Sequence, residues 1–233
     1  MKGVLLVDKP AGWTSFDVVN YVRKMVAQAE DKKPKQVKVG HTGTLDPFAT
    51  GLLVLLIGKE YTKKAGEMSK LDKTYEVTMK LGETSSTGDP EGDITPVSDT
   101  KPTQKALTDA LKRFTGEIKQ TPPAYSAIKI NGQRAYKLAR AGKEVKIEPR
   151  KVTINNLELV DYSYPEVKLI ADVTSGTYIR SLVEDIGAVL NTGAYTAALC
   201  RTQVGESKLT AAKEVKELTP ETLNKFLVSV GCI

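Results

Sequence analysis

The chain is poor in the residues that most often carry metal or redox chemistry. Among 233 residues there is one histidine, His41, and two cysteines, Cys200 and Cys232. There is no Cys/His cluster, and one imidazole cannot build a typical zinc site, so no metal site of that kind is expected. Two cysteines cannot form a disulfide framework, and both are expected as free thiols of a reducing compartment, the cytoplasm. No apolar run approaches the ~20 residues of a membrane helix, which excludes a membrane span of that kind. The first apolar run, Val4 to Val7, stops at Asp8. It is too short for the core of a signal peptide and reads as a first strand.

What is present fits a globular domain, with 40% hydrophobic and 27% charged residues. The net charge is +6 and the charges are unevenly placed. From Lys129 to Lys151 there are eight Lys or Arg against two Glu; Lys32 to Lys38 holds four Lys and no acid; Glu83 to Asp99 holds five acids and no base. Basic blocks of this density suit phosphate binding, and nucleic acid is the favoured partner of the 129–151 block. A solvated face is the plainer alternative, and for 32–38 nothing decides between the two.

One stretch stands out: GHTGTLDPFATGLLVLLIG, Gly40 to Gly58. Gly40, Gly43, Gly51 and Pro47 make its first part a turn-rich loop. Leu52 to Ile57 then reads as a buried strand. The loop carries His41 and, five residues on, Asp46. Reactive groups are often held on an irregular loop anchored to a rigid element. Asp46 as a simple turn-former before Pro47 is equally consistent with the spacing.

The remaining elements follow from periodicity. Lys2 to Asp8 reads as a strand, and Thr14 or Ser15 can cap a helix from about Phe16 whose inner face is Val18, Val19, Val22, Met25 and Val26. A short helix is expected over Lys59 to Ser69. Lys73 to Leu81 alternates Tyr75, Val77, Met79 and Leu81 as a half-buried strand. Gly82 to Thr95 reads as an acidic loop, and Thr103 to Thr115 as an amphipathic helix stopped by Gly116. Pro122 and Pro123 break regular structure before a turn at Asn131-Gly132 and a basic helix from Arg134 to Ala141. Val152 to Tyr162 and Glu166 to Thr174 form an antiparallel pair. A helix runs from about Tyr178 to Leu190, Gly193 to Val204 is strand or loop, and a last helix covers Pro220 to Val228. No repeat and no linker appears. The class is α+β, with a mixed, mostly antiparallel sheet flanked by helices and loops.

Six blocks then fall in a telling order: Lys9-Pro10 with Gly12; Gly40-His41-Thr42-Gly43-Thr44-Leu45-Asp46-Pro47 with Ala49-Thr50-Gly51; Lys73-Thr74-Tyr75; Pro122-Pro123 with Tyr125-Ser126-Ala127; Gly176-Thr177-Tyr178-Ile179-Arg180; and Leu199 with Arg201-Thr202. In this order they resemble the TruB family of bacterial tRNA pseudouridine synthases, from residue 2 to about residue 218. The resemblance implies a pseudouridine-synthase-like core. It also implies isomerisation of the T-loop uridine at tRNA position 55, with the glycosidic bond broken at N1 and remade at C5. The base lies inside a folded loop and must be flipped out. No cofactor is implied, and the expected partner is the T-stem loop of tRNA, met by a monomer.

By position, the resemblance makes Asp46 the catalytic carboxylate, attacking either C1′ of the ribose or C6 of the base, and Arg180 its pairing guanidinium. Tyr75 matches the aromatic that stacks on the flipped uracil, with its hydroxyl a candidate for proton transfer; Tyr178 matches a second tyrosine at the uridine, and Leu199 an apolar wall. His41 matches a residue that touches RNA and helps fill the space the nucleotide leaves. Lys9 and Lys73 fall in matching blocks as supporting members of the substrate site, and Arg140 belongs to a basic insertion, about 124–152, expected to contact the T loop. The whole chain reads as one catalytic domain. It departs from the family in having Cys200 where an arginine is usual, and in ending about fifteen residues after Leu218, so that a C-terminal RNA-binding domain is expected to be absent or reduced to a helix. Two other readings stand beside the tRNA isomerase: a relative guided by a separate RNA and partner proteins, and a non-catalytic tRNA-binding factor. The second has no need of Asp46, Tyr75, Tyr178 and Arg180 together.

Overall fold

A computed structural model describes residues 1–130 and 132–229. In chain order the strands are β1 (Gly3–Lys9), β2 (Val39–His41), β3 (Thr50–Ile57), β4 (Lys73–Leu81), β5 (Glu83–Ser85), β6 (Ile94–Pro96), β7 (Gly116–Gln120), β8 (Lys129–Ile130), β9 (Gln133–Arg134), β10 (Arg150–Ser163), β11 (Glu166–Val173), β12 (Ala194–Val204), β13 (Ser207–Lys208) and β14 (Lys213–Glu214). The helices are α1 (Ser15–Ala29), α2 (Lys59–Thr62), α3 (Ala65–Met68), α4 (Gln104–Lys112), α5 (Ala135–Arg140) and α6 (Ile179–Val189). The class is α+β, as the periodicities require.

The chain divides into two compact units, Met1–Tyr75 with Leu199–Ile233, and Glu76–Ala198. In the first unit β3 is central. All six residues from Leu52 to Ile57 are fully buried, which at ~1.5–3 kcal/mol per large side chain makes this strand its strongest anchor. One edge of β3 pairs antiparallel with β1 along its whole length, Gly3 opposite Ile57 and Lys9 opposite Gly51. The other edge is divided: Leu55 to Ile57 take β2 antiparallel, and Thr50-Gly51 take Cys200-Arg201 of β12 parallel. Gly51 must be glycine: its φ is +98°, and a Cβ would stand 2.4 Å from the Arg201 carbonyl oxygen. Thr14 caps α1, with the reciprocal Asp17 bond of a capping box, and Val18, Val19, Val22 and Val26 go into the core.

In the second unit the strand order is β4-β11-β10-β7. β10 pairs antiparallel with β11 on one side and with β7 on the other, where Arg150 lies opposite Gln120. α4 starts at its Thr103 cap as expected, and α6 follows the turn at Gly176.

Four expectations are corrected. The helix over 59–69 is two single-turn helices, α2 and α3; adjacent Lys63 and Lys64, with Gly66 close behind, favour the break. The helix over 220–228 is a 3₁₀ turn, Leu223–Phe226; Val228 bonds to the Val4 backbone in both directions, so pairing with β1 overrides helix propensity. The loop at 82–95 contains the β5–β6 hairpin. His41 closes strand β2 instead of lying in the loop. The turn at Asn131-Gly132 and the thiol of Cys232 fall partly or wholly outside the described residues.

Candidate active site

Residues 42–49 connect β2 to β3 and carry Asp46, which is half-buried. Few of these residues have regular backbone partners, so side chains from other elements hold the loop. Ser15, buried at the start of α1, accepts the Leu45 N–H at 2.8 Å and donates to the Leu45 carbonyl at 3.0 Å. Gly12 N–H donates to the Pro47 carbonyl at 2.8 Å. Lys9 is completely buried; its ammonium donates to the carbonyls of Pro10 (2.8 Å), Trp13 (2.7 Å) and Pro47 (3.3 Å). Arg201, 1% exposed, donates from Nε to Leu52 O at 2.8 Å, from Nη2 to Gly43 O at 3.1 Å and, more weakly, from Nη1 to Thr44 O at 3.4 Å. The residues on both sides of Asp46 are therefore fixed. That is the condition for a carboxylate to meet a reacting atom reproducibly.

His41 sits at the entrance of this loop. Burial, reinforced by the Arg201 charge and opposed by a backbone bond to Gly43, holds its imidazole below the ordinary histidine value, so it is neutral near pH 7. Its Nδ1 is buried and has no hydrogen-bond partner among the described residues. Lys73 is also turned inward: Nζ donates to Ser69 O at 2.8 Å and to Leu71 O. Burial, then the Arg201 charge, lower its pKa to about 8 against the pull of Asp72. Lys9 and Lys73 thus support the loop and strand from within, and neither offers its ammonium to the surface. Tyr75 and Leu199 are both buried, on β4 and β12, and Thr202 Oγ1 donates to the Thr74 carbonyl at 3.4 Å.

In the second unit Arg180, the second residue of α6, is 3% exposed. Its Nη1 lies 2.7 Å from Thr87 O and 3.2 Å from Asp89 Oδ2, and its Nη2 donates to Tyr125 O at 2.7 Å. Asp89 is buried too, and accepts from Thr87 Oγ1 at 2.6 Å and from the Glu91 N–H at 3.1 Å. Sequence reasoning missed this buried ion pair, because Asp89 is one of five acids in what reads as a solvated loop. One turn along α6, burial raises the Glu184 pKa, with Arg180 opposing and the charges of Asp185 and Asp89 adding to it. Tyr178, just before α6, is gripped by Gln120, which accepts its N–H at 2.8 Å and donates to its carbonyl at 3.0 Å. In the 129–151 block Lys129, Arg134, Lys137, Arg140, Lys143, Lys146 and Lys151 are all exposed, Arg140 standing 5.7 Å from the Tyr136 ring centroid; Arg150 is the exception.

Residues 31–179 match the model of the TruB family of pseudouridylate synthases, N-terminal domain. The match covers more than half of the chain and includes Asp46, Tyr75 and Tyr178. The chain belongs to the TruB family. Two relatives, each called tRNA pseudouridine synthase B, extend the likeness. That of Pseudomonas aeruginosa (strain UCBPP-PA14) is 43% identical over 98% of this chain and 74% of its own length. That of Bacteroides fragilis (strain ATCC 25285) is 44% identical over 88% of each. Among solved structures, the crystal structure of a Cbf5-Nop10-Gar1 complex contains a chain 27% identical with a TM-score of 0.70. It matches 93% of this chain, which spans about half (53%) of that one.

A cavity of about 590 Å³ opens in the first unit between Asp8, Trp13, Tyr21, Thr50, Cys200 and Glu214. Of the site residues expected from the sequence only Lys9 lines it. Among the described residues no helix is long and apolar enough to cross a membrane, and no group of three or more His, Cys, Asp or Glu could hold a metal.

Proposed function

We propose that this chain is a tRNA pseudouridine synthase that isomerises the T-loop uridine at tRNA position 55, acting as a cytoplasmic monomer without a cofactor. The supporting observation is the loop around Asp46: Ser15, Lys9, Gly12 and Arg201 fix Gly43, Thr44, Leu45 and Pro47, four of the eight residues of the family's most specific block.

In this reading Asp46 is the covalent catalyst, and Arg180 is the guanidinium that the family resemblance assigns to it. Tyr75 stacks on the flipped uracil, Tyr178 contacts the same uridine, and Leu199 forms an apolar wall; base–aromatic stacking contributes ~1–3 kcal/mol per base. His41, neutral at the mouth of the loop, meets the RNA. The insertion 124–152, through its exposed Arg140, Lys137 and Lys143, contacts phosphates of the T stem-loop and sets its register, while the pocket selects the base. Lys9 and Lys73 position protein backbone.

The test is an unmodified tRNA transcript incubated with the protein, followed by carbodiimide labelling and primer extension. A single new stop at the T-loop uridine supports the assignment. Stops elsewhere, or none at enzyme excess, contradict it.

A further inference from the structure

Arg150 belongs by sequence to the basic block, yet its guanidinium does not join that block's exposed face. It lies over the Tyr178 ring, 5.1 Å from Cζ to the ring centroid, and Nη2 donates to the Gly176 carbonyl. Its Nε is buried with no hydrogen-bond partner among the described residues. The side chain forgoes one hydrogen bond to cover the ring, which fits a cation drawn to the π-face. Gly176 is conformationally set for this approach: its φ is +89°, and a Cβ there would lie 3.3 Å from Arg150 Nη2.

Register gives the arrangement its second half. Arg150 on β10 lies directly opposite Gln120 on β7. Gln120, fully buried, clasps the Tyr178 backbone in both directions. The turn leading to Tyr178 is tied to the same strand, since Thr174 N–H donates to Thr153 O at 2.9 Å and Thr153 N–H donates to Thr174 Oγ1 at 2.9 Å. One cross-strand pair thus holds Tyr178 from two sides, Gln120 fixing its main chain and Arg150 its ring.

We propose that Arg150 is a positioning residue for pseudouridine formation, which acts through Tyr178 by setting the plane of the ring that meets the target uridine, and not by binding RNA phosphate. A planar guanidinium can lie on the ring while its edge reaches Gly176; a lysine can supply only the charge. The inference rests on the proposed reading of Tyr178 as a uridine contact.

The experiment is a double-mutant cycle on tRNA turnover with Arg150→Met, Tyr178→Leu and the pair, together with tRNA affinity at several salt concentrations. Arg150→Met is expected to lower kcat about tenfold, with Kd for tRNA within about twofold and an unchanged salt slope. Added to Tyr178→Leu it should cost less than about twofold more. Arg150→Lys should fall between wild type and Met, and with Arg150→Gln it replaces Met in the cycle if that variant does not fold. The proposal is overturned if the Arg150→Met loss recurs in full on the Tyr178→Leu background, or if it appears as weaker binding with a shallower salt slope. If Tyr178→Leu is impaired and Arg150→Met is not, the positioning role alone falls. If Tyr178→Leu turns over like wild type, the uridine contact falls and the positioning role with it.

Discussion

Ser15→Ala removes a single oxygen, 31 positions from Asp46 in sequence, and should disturb the Asp46 loop more than its size suggests. The hydroxyl serves both backbone groups of Leu45, accepting at 2.8 Å and donating at 3.0 Å, and both residues are buried. Alanine leaves a buried N–H and a buried C=O unsatisfied. At ~1–3 kcal/mol for each of the two orphaned groups the cost is about 2–6 kcal/mol. For a chain of this size, at ~2–4 °C per kcal/mol, that lowers the melting midpoint by about 4–24 °C. Leu45 adjoins Asp46, so any relaxation of the loop displaces the carboxylate, and misplacement by ~1 Å can cost ~100-fold in rate. Thermal unfolding and single-turnover pseudouridine formation measure the two effects, with Ser15→Thr as the control that keeps the hydroxyl. A midpoint within about 1 °C of wild type together with unchanged turnover would refute the idea that side-chain clamps hold this loop.

Other consequences can be checked in parallel. Asp89→Asn removes the carboxylate 3.2 Å from Arg180, and should cut kcat by ~10–100-fold with tRNA affinity nearly unchanged; breaking such a buried pair also costs ~3–5 kcal/mol of stability. Replacing Lys137, Arg140 and Lys143 with Gln should weaken tRNA binding and lower the slope of log affinity against log salt by about 2, at ~0.7 per lost phosphate contact; an unchanged slope makes the block a solvated face. Lys73 titrates at about 8 in the folded chain and near its ordinary 10.5 when unfolded. Between those values the unfolded chain binds the extra proton, so wild type should gain stability relative to Lys73→Met as pH rises from about 8 to about 10, and hold a constant deficit below about 7. Urea titrations across that range would show a flat difference if the ammonium is in fact solvated.

The parts of the molecule legible in the sequence are those where one local signal dominates. The unbroken apolar run of β3, the alternation through β4 and the Thr caps of α1 and α4 each declare an element without help from the rest of the chain. The order and identity of the motif blocks likewise single out Asp46, Tyr75, Tyr178 and Arg180. What stays hidden depends on partners far away in sequence. Asp89 looks like a solvated turn acid until Arg180, 91 residues on, is seen to neutralise it. Arg201 reads only as part of a motif; being the single charged residue of β12 is its one local signal, and its bonds to Gly43 and Thr44 reach back over 150 positions. Arg150 disappears into a charge count. The two units are not separable by sequence either, because their boundaries lie inside β4 and β12, where no Gly- or Pro-rich linker marks a change.

The central claim is that Asp46 carries the chemistry in a loop built to hold it still. Tritium release from tRNA labelled at uridine C5 tests it most directly, because the isomerisation must free that hydrogen when C5 bonds to the ribose. Wild type should release one equivalent per target uridine, and Asp46→Ala none above background while still binding the tRNA with nearly native affinity. Substantial release by Asp46→Ala would contradict the account.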